Sequence, residues 1–288
     1  MKYKPKISLT IDDNTYSFRL FEALKMVSKT FSQREAARKI GVSHAVLNRR
    51  IKDAEERLGF KLILSTPAGS LLTPNAKDLL KIYEKYEKRF KKREKIIICG
   101  GYASSRLLGN LAVEYGLDAA VYTTGDKEAL YLADMDMVDI LTLDDPVHAL
   151  IGNLDFTPIA YDHLVLISGE KKPINSIKDL KDKNFIEIED SPQRLAWNTL
   201  DDEGIHYKLK TGFKSPHEAI KFIKNNHEFY TFVSRSLEEG IDIIKEDTRH
   251  IISFIPCNTD NRINDFLNFI LTFKGQKIVE KYGFERIR

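Results

Sequence analysis

Residues 32–60 read SQREAARKIGVSHAVLNRRIKDAEERLGF, and this stretch decides the organisation of the first third of the chain. Ser32 stands three residues before Glu35, the spacing of a capping box, in which a hydroxyl and a carboxylate satisfy two free backbone N–H groups at a helix start. The helix it opens is short, carries small Ala36 and Ala37 for close packing, and stops at Gly41. Glycine there supplies the left-handed backbone that a tight turn needs. Val42 follows, and Ser43 caps a further helix running to about Leu58. Two short helices joined by Gly41-Val42-Ser43 predict a helix-turn-helix.

In the second of these helices Val46, Leu47, Ile51, Ala54 and Leu58 recur at helical spacing and are expected in the core. His44, Asn48, Arg49 and Arg50 are expected on the opposite N-terminal face. Amide and guanidinium groups in that position pair with adenine and guanine edges in the major groove of DNA. Ser32, Gln33, Arg34 and Ser43, at the two helix starts, join them as candidate contacts to double-stranded DNA.

The flanks extend the pattern. Upstream, Phe18, Phe21, Leu24, Met26 and Val27 predict a first helix over residues 16–29, preceded by an extended arm (Ile7, Leu9, Ile11) and a turn at Asp12-Asp13-Asn14. Downstream, KLILSTPAGSLLTP reads as two short strands around Thr66-Pro67-Ala68-Gly69, a wing whose Ser65 and Thr66 are further candidate DNA contacts. A basic helix over residues 76–95 follows, with Leu79, Leu80, Ile82, Tyr83, Tyr86 and Phe90 on its apolar side. It is expected to link the domains and to pair with its copy in a homodimer or tetramer.

Charge supports this division. Residues 1–95 hold 23 Lys and Arg against 11 Asp and Glu, while the remaining residues hold 22 against 31, so a whole-chain charge of +3 conceals a basic third and an acidic remainder. The basic part suits a polyphosphate and the acidic part would be repelled by one. With 42% hydrophobic and 30% charged residues the chain can bury proper cores. No apolar run is long enough to span a membrane and the first residues lack a signal-peptide core. Cys99 and Cys257 are far apart and offer no metal or disulfide framework. A cytoplasmic protein without membrane contact is expected.

From Ile96 the pattern alternates short apolar strands with helices, which predicts a mostly parallel sheet with helices on its faces. Expected strands include IIICG, residues 118–122, 138–143 and 161–169, FIEIED, and segments near 230–233 and 251–255, with one terminal helix over 263–282. Ligands of such sheets gather where strands end and helices begin, and free N–H groups at helix starts favour an anion. Ser104, Ser105, Thr123, Thr124, Ser191, Gln193, Arg194 and Ser234 occupy such positions and are the candidate ligand contacts, with Arg194 or Arg235 placed to balance an oxyanion.

Residues 31–76 resemble the DNA-binding domain of LysR-type transcriptional regulators and are also similar to that of ModE-type regulators. The likeness rests on Ala36-Ala37, Val42-Ser43, Val46, Ile51, Glu55, Leu58-Gly59, Leu62 and Leu72-Thr73. The remainder looks like the periplasmic-binding-protein-like (type II) sensor domain of the same regulators, on Gly100 to Arg106, the helix start at 191–194 and the closing FLNFILTFKGQKIVEKYGF. The resemblance implies a winged helix-turn-helix over residues 1–75, a linker and dimerisation helix over 76–95, and a bilobed α/β domain over 96–288. Lobe I would comprise about 96–158 and 255–288, and lobe II about 159–254. It implies a transcription regulator whose C-terminal domain senses a small molecule of unknown identity, an oxyanion among the candidates, with no cofactor, metal or catalytic residue. Two alternatives stay open on the residues alone. One is a C-terminal domain that only oligomerises; the other is an enzyme on the type II fold, which the seven scattered histidines and the lack of a Gly-rich phosphate loop disfavour.

Overall fold

The computed structural model describes residues 5–67, 69–89, 94–170 and 173–287, and the chain divides into two compact units, Met1–Arg93 and Glu94–Arg288. Ala68 of the expected wing turn, and residues 90–93 of the expected linker helix, lie outside the described residues; residues 94 and 95 are not helical.

In the first unit the expected arm is a hairpin of β1 (Leu9–Ile11) and β2 (Asn14–Tyr16). Asp12 and Asp13 turn it with φ of 45° and 62°, the pair of left-handed residues that a tight two-residue hairpin requires. Helix α1 (Phe18–Thr30) ends at Phe31, itself left-handed at φ 53°, whose carbonyl accepts the Ser70 N–H at 2.8 Å and so holds the wing. Helix α2 (Gln33–Ile40) is capped by Ser32, whose Oγ accepts the Glu35 N–H at 3.3 Å. The Glu35 carboxylate turns instead to Arg38, at 2.7 and 2.9 Å, one helical turn on. Gly41, at φ 73°, ends α2, and Ser43 caps α3 (His44–Leu58) by accepting the Val46 N–H at 3.2 Å.

Strands β3 (Ile63–Thr66) and β4 (Gly69–Leu72) pair antiparallel as the wing. Helix α4 (Pro74–Arg89) starts two residues before the expected position, because Thr73 Oγ1 accepts the Ala76 N–H at 3.1 Å and Pro74, lacking an N–H, fits the first helical turn. Phe21, Leu24, Val27, Leu47, Ile51, Leu62, Leu72, Leu79, Leu80 and Tyr83 form one core, with the Phe21 and Tyr83 rings stacked at 4.0 Å. Two expectations are corrected here. Val46 is 36% exposed rather than buried, and Ile82 and Tyr86 face outward from α4 while Leu79, Leu80 and Tyr83 face the core.

The second unit opens with β5 (Ile96–Gly100), α5 (Tyr102–Tyr115), β6 (Ala119–Thr123), α6 (Asp126–Asp134), β7 (Ile140–Leu143), α7 (Val147–Ile151) and β8 (Thr157–Asp162). The chain then passes into β9 (Leu164–Ser168), a 3-10 turn (Ile177–Leu180), β10 (Asn184–Ile188), α8 (Gln193–Asp202), β11 (Lys208–Phe213), α9 (Pro216–Asn225) and β12 (Phe229–Ser234). It returns through β13 (His250–Pro256), α10 (Asn261–Leu271) and α11 (Phe273–Lys281).

Two sheets result, in the orders β6-β5-β7-β13-β8 and β11-β10-β12-β9. Each has its own apolar layers, so the unit is bilobed. The expected strand over 161–169 is two strands in different sheets, and the chain crosses between lobes at 162–164 and again at 234–250. The sheets are mixed rather than mostly parallel: β13 runs antiparallel to β7 and β8, and β9 antiparallel to β12, because these strands carry the crossings. The expected terminal helix breaks at Thr272, which leaves helical geometry at ψ 160° and caps α11 by accepting the Gly275 N–H.

Candidate functional site

Helix α3 presents part of its first two turns outward, with Leu47 turned into the core. His44 and Arg49 are exposed, Asn48 is half-buried, and the newly exposed Val46 sits among them. Arg50 is only half-exposed, and its guanidinium donates to the Arg19 carbonyl at 3.1 Å, which braces α3 against α1. Arg34 is exposed on α2, Gln33 is half-buried beside it, and Ser32 and Ser43 are engaged as helix caps. Ser65 is exposed on the wing, while Thr66 Oγ1 donates to the Gly69 carbonyl at 3.0 Å and closes the wing turn. The result is a helix end carrying amide, imidazole, guanidinium and one small apolar group, flanked by a wing. Those groups match the donor, acceptor and methyl pattern of a major groove.

Glu55, buried further along α3, is not among the candidates. Its Oε1 accepts the N–H groups of Leu62 and Ile63, and its Oε2 meets Lys61 at 2.9 Å. A carboxylate on the buried side of an otherwise apolar pattern was the available signal.

In the second unit the candidate ligand residues fall into two groups. Six are engaged by the fold, five through their side chains and Thr124 through its backbone. Gln193 is buried with its amide fully used: Oε1 accepts the Ile188 N–H at 2.7 Å, and Nε2 donates to Thr231 Oγ1 and the Phe232 carbonyl, both at 2.7 Å. These bonds make it a brace inside lobe II, at the wall of the pocket. Ser105 Oγ and Thr123 Oγ1 share a hydrogen bond of 2.7 Å, and Ser191 Oγ donates to the Ile188 carbonyl at 2.7 Å. Buried Ser104 keeps its hydroxyl near the Gly101 carbonyl at 3.5 Å, and the Thr124 N–H donates to Gly100.

Arg194 and Ser234 reach the cleft between lobes, and Ser191 and Gln193 also line its pocket. Arg194, at the start of α8 in lobe II, donates through Nε and Nη2 to both oxygens of Asp145 in lobe I, at 2.5 and 2.9 Å. Ser234, at the end of β12, lines a narrow pocket with Tyr102, Asp144, Glu189, Asp190 and Pro216. Lys127 of α6 crosses the same cleft to Asp190 at 2.6 Å. Arg235 is paired with Glu239 on the surface.

Carboxylates dominate the lobe I wall. Asp144 accepts the N–H groups of Ala103 and Ser104 at 3.1 and 2.7 Å, so the start of α5, expected to receive an anion, already holds one. Gly101 is required there, since a Cβ at that position would strike the Asp144 carboxylate. Asp126 lies fully buried beneath, accepting the N–H groups of Asp144 and Asp145 at 3.1 and 2.8 Å. Burial, and then the neighbouring Asp144 charge, hold its carboxyl well above the usual carboxylate range. The bidentate contact to Asp145 raises Arg194 further above its ordinary value. Among the described residues no group of histidine, cysteine and carboxylate side chains is arranged to hold a metal ion.

Residues 18–77 match the lysR family of bacterial regulatory helix-turn-helix proteins. An uncharacterized HTH-type transcriptional regulator of Methanocaldococcus jannaschii is 31% identical across 97% of this chain and 99% of its own. Among solved structures, an OxyR mutant of Corynebacterium glutamicum is similar with a TM-score of 0.59, at 14% identity over 91% of this chain and 93% of that one. A putative phosphate ABC transporter substrate-binding protein of Clostridium perfringens, solved with bound phosphate, reaches 0.54 at 15% identity over 68% of this chain and all of its own. At such identities the last two show the fold alone: a type II binding-protein architecture in the second unit. With the helix-turn-helix and wing in place and a full-length relative matched, the chain belongs to the LysR family of helix-turn-helix transcriptional regulators.

Proposed function

We propose that this regulator reads operator DNA with His44, Val46, Asn48 and Arg49 of α3, and senses a small molecule in the cleft between the lobes of its second unit. The observation that carries the reading is the N-terminal half of α3, where His44, Val46 and Arg49 are exposed and Asn48 is half-exposed above a folded core. Asn48 and Arg49 are suited to bidentate contacts with adenine and guanine, and Val46 to a thymine methyl. Ser65 and the basic surface of the first unit serve the phosphates. The protein works as a homodimer, in which the outward Ile82 and Tyr86 of α4 and a groove of about 460 Å3 lined by Phe31, Leu71 and Lys81 supply apolar contact area. It acts in the cytoplasm and catalyses no reaction; among the described residues no helix is long and apolar enough to cross a membrane.

Selection of bound fragments from a random DNA pool, followed by a salt titration, tests the reading. A defined, two-fold symmetric site with a log K against log salt slope of roughly −5 is expected if about six phosphates are contacted. A slope near zero and no enriched sequence would refute it.

A further inference from the structure

We propose that the cleft takes a cationic small molecule, whose ammonium or guanidinium group replaces the Arg194 guanidinium on Asp145. The proposal rests on the reading of the cleft as the sensing site and names the chemistry of what it senses.

Four observations point the same way. First, the helix start that would attract an oxyanion is filled by the Asp144 carboxylate, which satisfies the Ala103 and Ser104 N–H groups. Second, the lining of the pocket beside it carries the carboxylates Asp144, Glu189 and Asp190 and no lysine or arginine, although Lys127 reaches Asp190 from α6 at 2.6 Å. Third, the ion pair across the cleft is unequal. The Asp145 side chain is 3% exposed and fixed, its Oδ1 accepting the Val147 N–H at 3.0 Å; the Arg194 side chain is 44% exposed on a long flexible stem. A competitor therefore displaces the movable cation and meets the fixed carboxylate. The chain's own guanidinium marks the kind of group that the carboxylate accepts.

Fourth, Ser234 is a polar side chain without a role in the fold. It is 4% exposed, lines the pocket, and its hydroxyl has no hydrogen-bond partner among the described residues. A hydroxyl oxygen in that position accepts a hydrogen bond from a bound ammonium or guanidinium. The Tyr102 ring, edge-on to His217 across the cleft, adds an aromatic surface of the kind cations favour.

Displacement also gives a switch. The Arg194–Asp145 contact joins lobe II to lobe I, so a ligand that takes over Asp145 releases one tie between lobes while making its own. Its differential affinity for the two arrangements sets how far it shifts them.

The test is calorimetric titration of the full chain, at constant ionic strength, with agmatine and putrescine as cations and with inorganic phosphate and molybdate as anions. Binding of a cation is expected, and Arg194→Ala is expected to tighten it about tenfold if the ion pair is closed nine-tenths of the time. Asp145→Asn, which keeps the acceptor for Val147, is expected to abolish it. Should that variant melt several degrees lower, Ser234→Ala carries the test, with weakened cation binding expected. Cation affinity unchanged in both Asp145→Asn and Ser234→Ala overturns the proposal. Binding of an anion alone, weakened by Ser234→Ala, overturns it while the cleft remains the sensing site. No binding of either class by the full chain or Arg194→Ala, with DNA binding intact, removes both readings.

Discussion

Glu55 ties the recognition helix to the wing: its Oε1 accepts the Leu62 backbone N–H at 2.8 Å, seven residues along the chain. The same oxygen takes the Ile63 N–H at 3.2 Å, so the orientation of α3 and the start of β3 are set by one carboxylate. Glu55→Ala leaves two backbone donors without their partner, at a cost of about 1–3 kcal/mol for each that stays buried. We expect the first unit to melt earlier and operator affinity to fall with it. Differential scanning calorimetry with a DNA-binding assay on the same sample checks both.

The same residue gives a pH dependence. Burial opposes ionisation of Glu55, but Lys61 and the two N–H groups outweigh it and hold the carboxyl below its ordinary value. A carboxyl lowered in the folded state contributes stability that is present above its unfolded pKa, about 4.3, and lost as pH falls through the folded value. Melting temperature is therefore expected to drop below about pH 4.3, and less steeply in Glu55→Gln. Parallel curves for the two proteins would contradict this.

Asp126 carries a load of another kind. Asp126→Ala removes the acceptor for the N–H groups of both Asp144 and Asp145, which stand at the turn that presents Asp145 to Arg194. A loss of about 2–6 kcal/mol is expected from the two unpaired donors, together with weaker binding of any ligand of the cleft. Denaturant unfolding and calorimetric titration separate the two effects.

Arg49→Ala is expected to cost about 1–3 kcal/mol of operator affinity and to relax discrimination at one base position. Val46→Ala should lower the preference for thymine at a single position with little change in salt slope. Binding to a library of single-base operator variants reads both. An equal loss on every sequence would make Arg49 a phosphate contact instead.

The helix-turn-helix was legible because its signals are local: Ser32 and Ser43 cap, Gly41 turns, and apolar residues repeat. What escaped depended on partners distant in sequence. Val46 fits the apolar repeat of α3, yet it lies at the margin of the stripe, and which way a margin residue faces depends on where α1 packs. The strand expected over 161–169 kept its apolar run, but its division between two sheets is fixed by pairing to β13 and β12, more than sixty residues on. In the cleft, hydroxyls at helix starts were visible and the carboxylates that occupy those starts were not assigned there. Asp144 meets Ser104 from forty residues away, and Asp145 meets Arg194 from forty-nine. Gln193 reads as a candidate contact at a helix start, and only the fold reveals that its amide is bonded within lobe II.

Cys257 is expected to be unreactive. Burial, and then nearby acidic charge against the Leu141 backbone contact, push its thiol up to about 11. At pH 8 its thiolate is then on the order of a hundredfold scarcer than that of an ordinary cysteine. Alkylation of the folded protein, followed by mass spectrometry, should proceed correspondingly slower than after unfolding.

The two crossings of the chain between sheets have a mechanical consequence. The excursion that builds lobe II leaves lobe I at Asp162 and re-enters at His250, and residues 94 and 95 lead into β5 of lobe I. Lobe II thus hangs as a pendant from two strand ends, without a peptide connection of its own to the DNA-binding unit. Within one chain, any rearrangement that starts there is handed through those two ends before the backbone can carry it further. Asp162 and Ser236, bonded at 2.6 Å between the crossings, stand at that bottleneck. Stiffening or loosening it would tune how much of a binding event is transmitted, leaving both the pocket and the DNA-reading helix untouched.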